Sequence, residues 1–211
     1  MMSNPARSER DLICDLFTEY GPDEPTLCAG WTTRDLAAHI AVRERRPDAA
    51  AGILIGALSA YGDRVRTRAA AGDWAGLVAT IRTGPPRLSP MRLGPVDRLA
   101  NTVEFFVHVE DVRRARADWQ PRTLDADLRR QLLAMLTRGA RLLARSAPCG
   151  LVLHPSDHQP IRAKKGEPSV TVTGDIGELV LFMYGRQAHT RVDLQGPADL
   201  VETIRSASFG V

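Results

Sequence analysis

Between Asn101 and Asp111 the chain reads Asn101-Thr-Val-Glu-Phe-Phe-Val-His-Val-Glu-Asp111, with ionisable side chains set among valines and phenylalanines. This stretch constrains the fold more than any other. At helical spacing Glu104 and His108 lie about 40° apart around the axis, and Asp111 falls within about 20° of Glu104. The three side chains therefore share one face. Phe105 and Val112 border that face on one side, Val103 and Val107 on the other. A solvated charged face is normally bordered by more charge. The pattern instead predicts a buried polar stripe, and a buried Glu–His pair needs a partner to offset its desolvation. A metal ion is one such partner.

A fold that buries such a helix needs a core, and 211 residues with 44% hydrophobic content can supply one. The net charge of +3 is carried almost entirely by arginine, because Lys164 and Lys165 are the only lysines. These arginines are scattered among carboxylates and alanines, and no basic face with interleaved aromatics emerges, so the expectation is no nucleic-acid partner. Cys14, Cys28 and Cys149 are odd in number and contain no Cys-x-x-Cys pair, which argues against a disulfide framework or a cysteine zinc knuckle. The N-terminal region has no apolar run of signal-peptide type, and the longest nearly apolar stretch, Ala49 to Tyr61, is too short to span a bilayer. The reading is a soluble, cytoplasmic protein without a membrane partner, as a monomer or a homodimer.

Helical signals run to about residue 147. Pro5 suits a first helical turn, and Leu12, Ile13, Leu16 and Phe17 form an apolar face that ends before Gly21-Pro22. Thr32-Thr-Arg-Asp35 resembles a capping box, opening a helix through Leu36, His39 and Ile40 that Pro47 stops. A helical region from Asp48 to Arg82 is expected to break near Gly72-Asp73, and Gly84 through Pro95 to form a loop. The Glu104 helix is expected over Val96 to Ala117, and another amphipathic helix over Asp125 to Arg145. After Pro148 the pattern changes to short strands at 150–154, 161–164, 169–173 and 190–195, with helices at 177–188 and 197–206. The expected organisation is α+β: a helical bundle over residues 1–147, followed by a small α+β domain over 148–211.

His39 lies on a different helix from Glu104 and His108. In a bundle, core-facing side chains of different helices converge, and metal sites are built this way. Two histidines and a carboxylate would leave room on the ion for water or substrate. The bland reading is that His39 hydrogen-bonds within the bundle while Glu104–His108 is a local pair. Spacing alone leaves both open.

Leu27-Cys-Ala-Gly-Trp-Thr-Thr-Arg-Asp-Leu-Ala-Ala-His39 resembles the N-terminal signature of the mycothiol-dependent maleylpyruvate isomerase family, a branch of the DinB-like metal-binding four-helix bundles. Glu104-x-x-x-His108-x-x-Asp111 is similar to its second signature. The tail, with Glu178-Leu-Val-Leu-Phe-Met-Tyr-Gly-Arg186, resembles the small sterol-carrier-like α+β domain of these proteins. The resemblance implies a divalent metal, usually zinc, at His39, Glu104 and His108, and mycothiol as the thiol cofactor. The partners it implies are a small-molecule thiol and a small electrophilic, anionic substrate.

It also assigns roles that the residues themselves leave open. Asp111 would orient a ligand or manage a proton, or else pair with Arg114 or Arg43. Arg43, one turn beyond His39, would grip a substrate carboxylate, or belong to the surface run Arg43-Glu-Arg-Arg46. Arg186 would reach the active site from the tail; Arg191, or a simple helix-end cation, is the rival. Cys28 lies in the signature, yet reads as a small buried residue rather than a nucleophile. His154-Pro-Ser-Asp-His158 reads as an exposed turn. The expected function is an isomerase or thiol transferase; a metal-dependent hydrolase and a non-catalytic binding module are the alternatives.

Overall fold

The computed structural model describes residues 4–46, 48, 59–86 and 101–210. Helix α1 (Pro5–Tyr20) begins on proline, whose missing N–H costs nothing in a first turn, and ends at Gly21 with φ 79°. Its face of Ile13, Cys14, Phe17 and Leu16 is buried. Helix α2 (Thr33–Arg45) starts as expected: the Asp35 carboxylate accepts the Thr32 N–H at 3.3 Å and the Thr32 hydroxyl at 3.2 Å. The break near Gly72-Asp73 is present, separating α3 (Ser59–Ala70) from α4 (Trp74–Thr83). Asp73 caps α4 by accepting the Gly76 N–H at 2.7 Å. Helix α5 (Thr102–Arg113) carries the polar stripe and stops four residues short of the expected end, at the Arg114 cap. The expected start at Val96, the residues that flank Asp48, and most of the Gly84–Pro95 loop and the Ala49–Tyr61 stretch fall outside the described residues.

Contacts group the chain into two units, Met1–Trp119 and Gln120–Val211. In the first, α1 packs along α5 and on α4, while α2 packs on α3 and α4. Ile13, Phe17, Leu36, Ile40, Ile81, Phe105 and Val109 form the centre of this core. An ion pair is buried with them: Arg10 grips Glu44 through two nitrogens, at 2.5 and 2.7 Å, and lies over the Phe105 ring at 4.5 Å.

The second unit opens with α6 (Ala126–Leu143), capped by Asp125, and continues into four strands. These are β1 (Gly150–Pro155), β2 (Ile161–Lys164), β3 (Ser169–Gly174) and β4 (Asp193–Gln195). The sheet is mixed, in the order β2-β1-β3-β4, with β1 and β3 parallel and both outer pairings antiparallel. Leu151 pairs with Val170 and Leu153 with Val172, so the alternation that marked these strands buries one continuous face. Gly150 is required where it stands, because a Cβ there would lie 2.1 Å from the Gly166 carbonyl oxygen.

Helix α7 (Ile176–Met183) is buried on all sides and packs on α6, β1 and β3. It is shorter than expected, since the chain turns at Gly185 with φ 82° and continues as a 3₁₀ turn over Gln187–His189. Helix α8 (Ala198–Ser206) closes the unit. The switch from helix to strand after residue 147 is present, while the contact boundary falls earlier, because Leu128, Leu132 and Leu136 put α6 with the sheet unit. Among the described residues no helix is long and apolar enough to cross a membrane.

Candidate metal centre

The polar stripe of α5 is bordered by apolar burial, as its flanks predict: Val103, Phe105, Val107 and Val112 are at most 3% exposed. Helix α2 brings His39 against it. His39 Nε2 stands 3.3 Å from Glu104 Oε1, and His108 Nε2 stands 3.2 Å from the same oxygen. The two imidazole centroids are 5.4 Å apart, one ring edge-on to the other. One ligand atom from each of His39, Glu104 and His108 lies within 4.8 Å of the other two.

These spacings can be tested against an ion. Zinc–ligand bonds of about 2.0–2.1 Å at tetrahedral angles put neighbouring donor atoms about 3.3–3.4 Å apart. The two spacings to Glu104 Oε1 match that edge. The donor chemistry fits too, since imidazole nitrogens and a carboxylate suit zinc and other divalent first-row ions.

The surroundings complete the fit. His108 Nδ1 meets Asp111 Oδ2 at 2.9 Å, so Asp111 holds the ring by the nitrogen that faces away from Glu104. A carboxylate that takes one imidazole N–H leaves the other nitrogen free to ligate. Cys28 reaches the same Asp111 oxygen, its Sγ donating at 3.2 Å. A second donor group is therefore possible, made of Cys28, His108 and Asp111. The two sets differ in exposure. The Asp111 side chain is 0% exposed, whereas those of His39 and Glu104 are 16% and 24% exposed. The His39–Glu104–His108 group therefore has two partly exposed members, and the Cys28–His108–Asp111 group one.

Electrostatics follow from the same contacts. Burial pushes the His39 imidazole below its usual range, against the pull of its Glu104 hydrogen bond, which favours the neutral form a ligand needs. Burial alone would raise Glu104, but the hydrogen bonds from His108 and His39 and the charges of His108 and Arg43 hold it well below the usual carboxylate range. Burial would lower His108, but its bonds with Asp111, Cys28 and Glu104 carry it well above the ordinary histidine value. The charges that draw a proton onto the ring are the ones that would draw a cation, and ligation by Nε2 requires that nitrogen to be without its proton.

Arg43 is drawn inward rather than left on the surface. Its Nε lies 3.3 Å from Glu104 Oε1 and its Nη1 donates to Asn101 Oδ1 at 2.7 Å, while Nη2 has no partner among the described residues. The Arg114 guanidinium donates to Glu110 at 2.6 Å, while Asp111 takes His108 and Cys28. The Trp31 ring lies 5.2 Å from the His39 ring, centroid to centroid, and the Arg66 guanidinium lies over the Trp31 ring at 4.6 Å. Arg186 lies in the second unit, where its Nη1 donates to the Tyr184 carbonyl. Arg191 donates to Gln120 Oε1 at 2.7 Å. In the 154–158 turn His158 meets Asp157, which accepts from Arg129.

Two contacts escaped the sequence reading. Asn101 as the anchor of Arg43 and Cys28 as the donor to Asp111 both join residues far apart in the chain, and one of them sits in a loop without periodicity. The only available signal was the place of Cys28 within the signature.

No protein-family model matches the sequence, and no curated protein matches it. Solved structures do. A crystal structure of the mycothiol-dependent maleylpyruvate isomerase matches with a TM-score of 0.61 over 90% of both chains, at 17% identity. A histidine-to-alanine mutant of the mycothiol-dependent maleylpyruvate isomerase matches with a TM-score of 0.62 over 90% of both chains, at 15% identity. The match establishes the fold: this chain folds as the mycothiol-dependent maleylpyruvate isomerase does, in support of the family that its two signatures resemble.

Proposed function

We propose that this protein is a divalent-metal enzyme of the mycothiol-dependent isomerase or thiol-transferase type, acting on a small electrophilic, anionic substrate. The carrying observation is the convergence of His39 Nε2 and His108 Nε2 on Glu104 Oε1 at 3.3 and 3.2 Å, with a ligand atom of each of the three residues within 4.8 Å of the others. The fold and both signatures support the same reading.

In it, His39, Glu104 and His108 hold zinc or a similar ion. Bound there, the ion would supply a positive charge and an open position that lower the pKa of an incoming thiol. Everything else falls to the chain. Arg43 keeps Glu104 ionised through Nε and offers Nη2 to a substrate carboxylate. Asp111, fully buried with Oδ2 on the His108 Nδ1 proton, does its proton work through His108. Trp31 screens the His39 side from water. Arg186, assigned on the resemblance alone, is a second carboxylate-binding arginine. Mycothiol, held there, would supply a thiolate able to add reversibly to a conjugated double bond, which is the chemistry that a cis-to-trans isomerisation needs and that a thiol transfer would keep as product.

The same reading takes the first unit as a DinB-like four-helix bundle, the tail as a sterol-carrier-like domain, and the protein as cytoplasmic. Elemental mass spectrometry on the purified protein, followed by a mycothiol-dependent cis-to-trans assay on maleylpyruvate, tests it. About one divalent ion per chain and thiol-dependent turnover are expected. No metal, even after addition of zinc, would leave a non-catalytic module; metal with thiol-independent ester hydrolysis would make it a hydrolase.

A further inference from the structure

The loop before α2 does more than lead into the helix. Thr26 shapes it locally: its hydroxyl oxygen accepts the Cys28 N–H at 3.2 Å and donates to the Trp31 carbonyl at 2.9 Å. The Leu27 N–H then donates to the Asp111 main-chain carbonyl at 3.0 Å, pinning the loop onto α5. That attachment aims the Cys28 thiol at Asp111 Oδ2, 3.2 Å away, the same oxygen that meets His108 Nδ1 at 2.9 Å. One carboxylate oxygen, with two lone pairs, thus receives both a thiol and an imidazole donor.

We propose that Cys28 is a positioning residue: its thiol fixes the Asp111 carboxylate so that Asp111 holds the His108 ring with Nε2 turned toward His39 and Glu104. Rotation of the Asp111 carboxylate would release the Nδ1 bond and with it the ring orientation. Cys28 neither attacks a substrate nor ligates the ion; beside its own contact with the His108 ring, it acts through the Asp111 carboxylate. This chain of contacts gives the cysteine of the first signature a physical task that neither apolar packing nor nucleophilic chemistry supplies. The inference rests on the metal-centre reading for its consequence, and on geometry alone for the hydrogen bond itself.

Two variants separate donation from bulk. Cys28→Ser keeps a hydroxyl donor, and Cys28→Ala removes it. Cobalt(II) affinity is measured by competition with a chromophoric chelator, and the visible cobalt spectrum is recorded as a reporter of ligand geometry. Loss of an outer hydrogen-bond partner typically weakens metal binding about 10–100-fold. Cys28→Ala should lose at least about 10-fold in affinity and show an altered spectrum, whereas Cys28→Ser should stay within about 3-fold of the parent. Affinity unchanged in Cys28→Ala, or lost equally in both variants, would overturn the proposal.

The metal-free protein gives a readout that survives failure of the metal reading. The His108 Nδ1 proton, followed by ¹⁵N-resolved NMR, should be protected from exchange in the parent and in Cys28→Ser, and lost to exchange in Cys28→Ala. Equal protection in all three would overturn the positioning role even if the parent bound no cobalt.

Discussion

Helix α5 buries acid on two faces, and the two are handled in opposite ways. On one face Glu110, with a side chain 0% exposed, meets Arg113 at 2.9 Å through Oε1 and Arg114 at 2.6 Å through Oε2. Each oxygen has its own guanidinium, and in the Arg10–Glu44 pair each oxygen has its own nitrogen of one guanidinium. On the other face a single oxygen of Glu104 faces His39, His108 and Arg43 at 3.2–3.3 Å. Distributed contacts of 2.5–2.9 Å are the signature of a charge neutralised for structure. Several longer contacts crowded on one atom, two of them from imidazoles able to ligate, mark a place where a cation fits. The contrast lies within one helix: Glu110 has its charge met oxygen by oxygen, whereas Glu104 gathers its partners on a single oxygen.

The sharpest way to break it is to remove the ligands. Glu104→Ala and His108→Ala should each take the metal content from about one ion per chain to near zero, read by elemental mass spectrometry. A retained ion in both would erase the distinction between the faces. The converse change is Glu44→Ala, which strands Arg10 in the core. Removing one partner of a buried pair costs about 3–5 kcal/mol, because the remaining charge is left uncompensated. Urea unfolding of the metal-free protein should show a loss of that size, with metal stoichiometry unchanged in the folded fraction.

Cys14 offers a pH test that leaves the metal centre alone. It is fully buried among α1 and α4 residues, and burial pushes its thiol up to about 11. In the unfolded chain the thiol ionises near 9, so between about pH 9 and pH 11 unfolding releases a proton that the folded state retains. Stability is therefore full below pH 9 and falls through that window. A two-unit shift corresponds to about 2–3 kcal/mol. Cys14→Ala should flatten the decline by about that amount in denaturant melts taken across the window. A parallel decline in both proteins would show that the thiol contributes nothing. The smallest effect belongs to a helix cap: Asp73→Ala should cost about 1 kcal/mol in the same melts and leave metal affinity unchanged. A change in affinity there would mean that the metal site depends on the stability of the whole unit, weakening the contrast between the faces.

Much of this was open to a reader of the sequence. The capping pattern at Thr32, the break at Asp73 and the apolar borders of the Glu104 stripe are local signals, set by periodicity and by residues three or four apart. The strand register could be anticipated only as alternation; which strands pair, and that β1 and β3 run parallel, is a long-range outcome. The end of α7 was missed because Tyr184 and Gly185 continue an apolar pattern, while a left-handed backbone at Gly185 turns the chain. The site divides in the same way. Glu104, His108 and Asp111 share a face by arithmetic, and His39 joins them only through the resemblance or through packing.

The sequence by itself determined which side chains α5 presents together and that apolar neighbours bury them, because helical geometry is fixed by spacing. Tertiary structure decided which partner each acid takes. Glu110 and Asp111 are adjacent in the chain, yet one receives two arginines and the other a histidine and a thiol. Glu110 takes its arginines from three and four residues on, at helical spacing. The thiol on Asp111 and the second imidazole on Glu104 depend instead on what α2 and the loop before it bring against that face. Such contacts link residues 39 with 104 and 28 with 111, separations across which periodicity carries no information and only the packed core fixes distance.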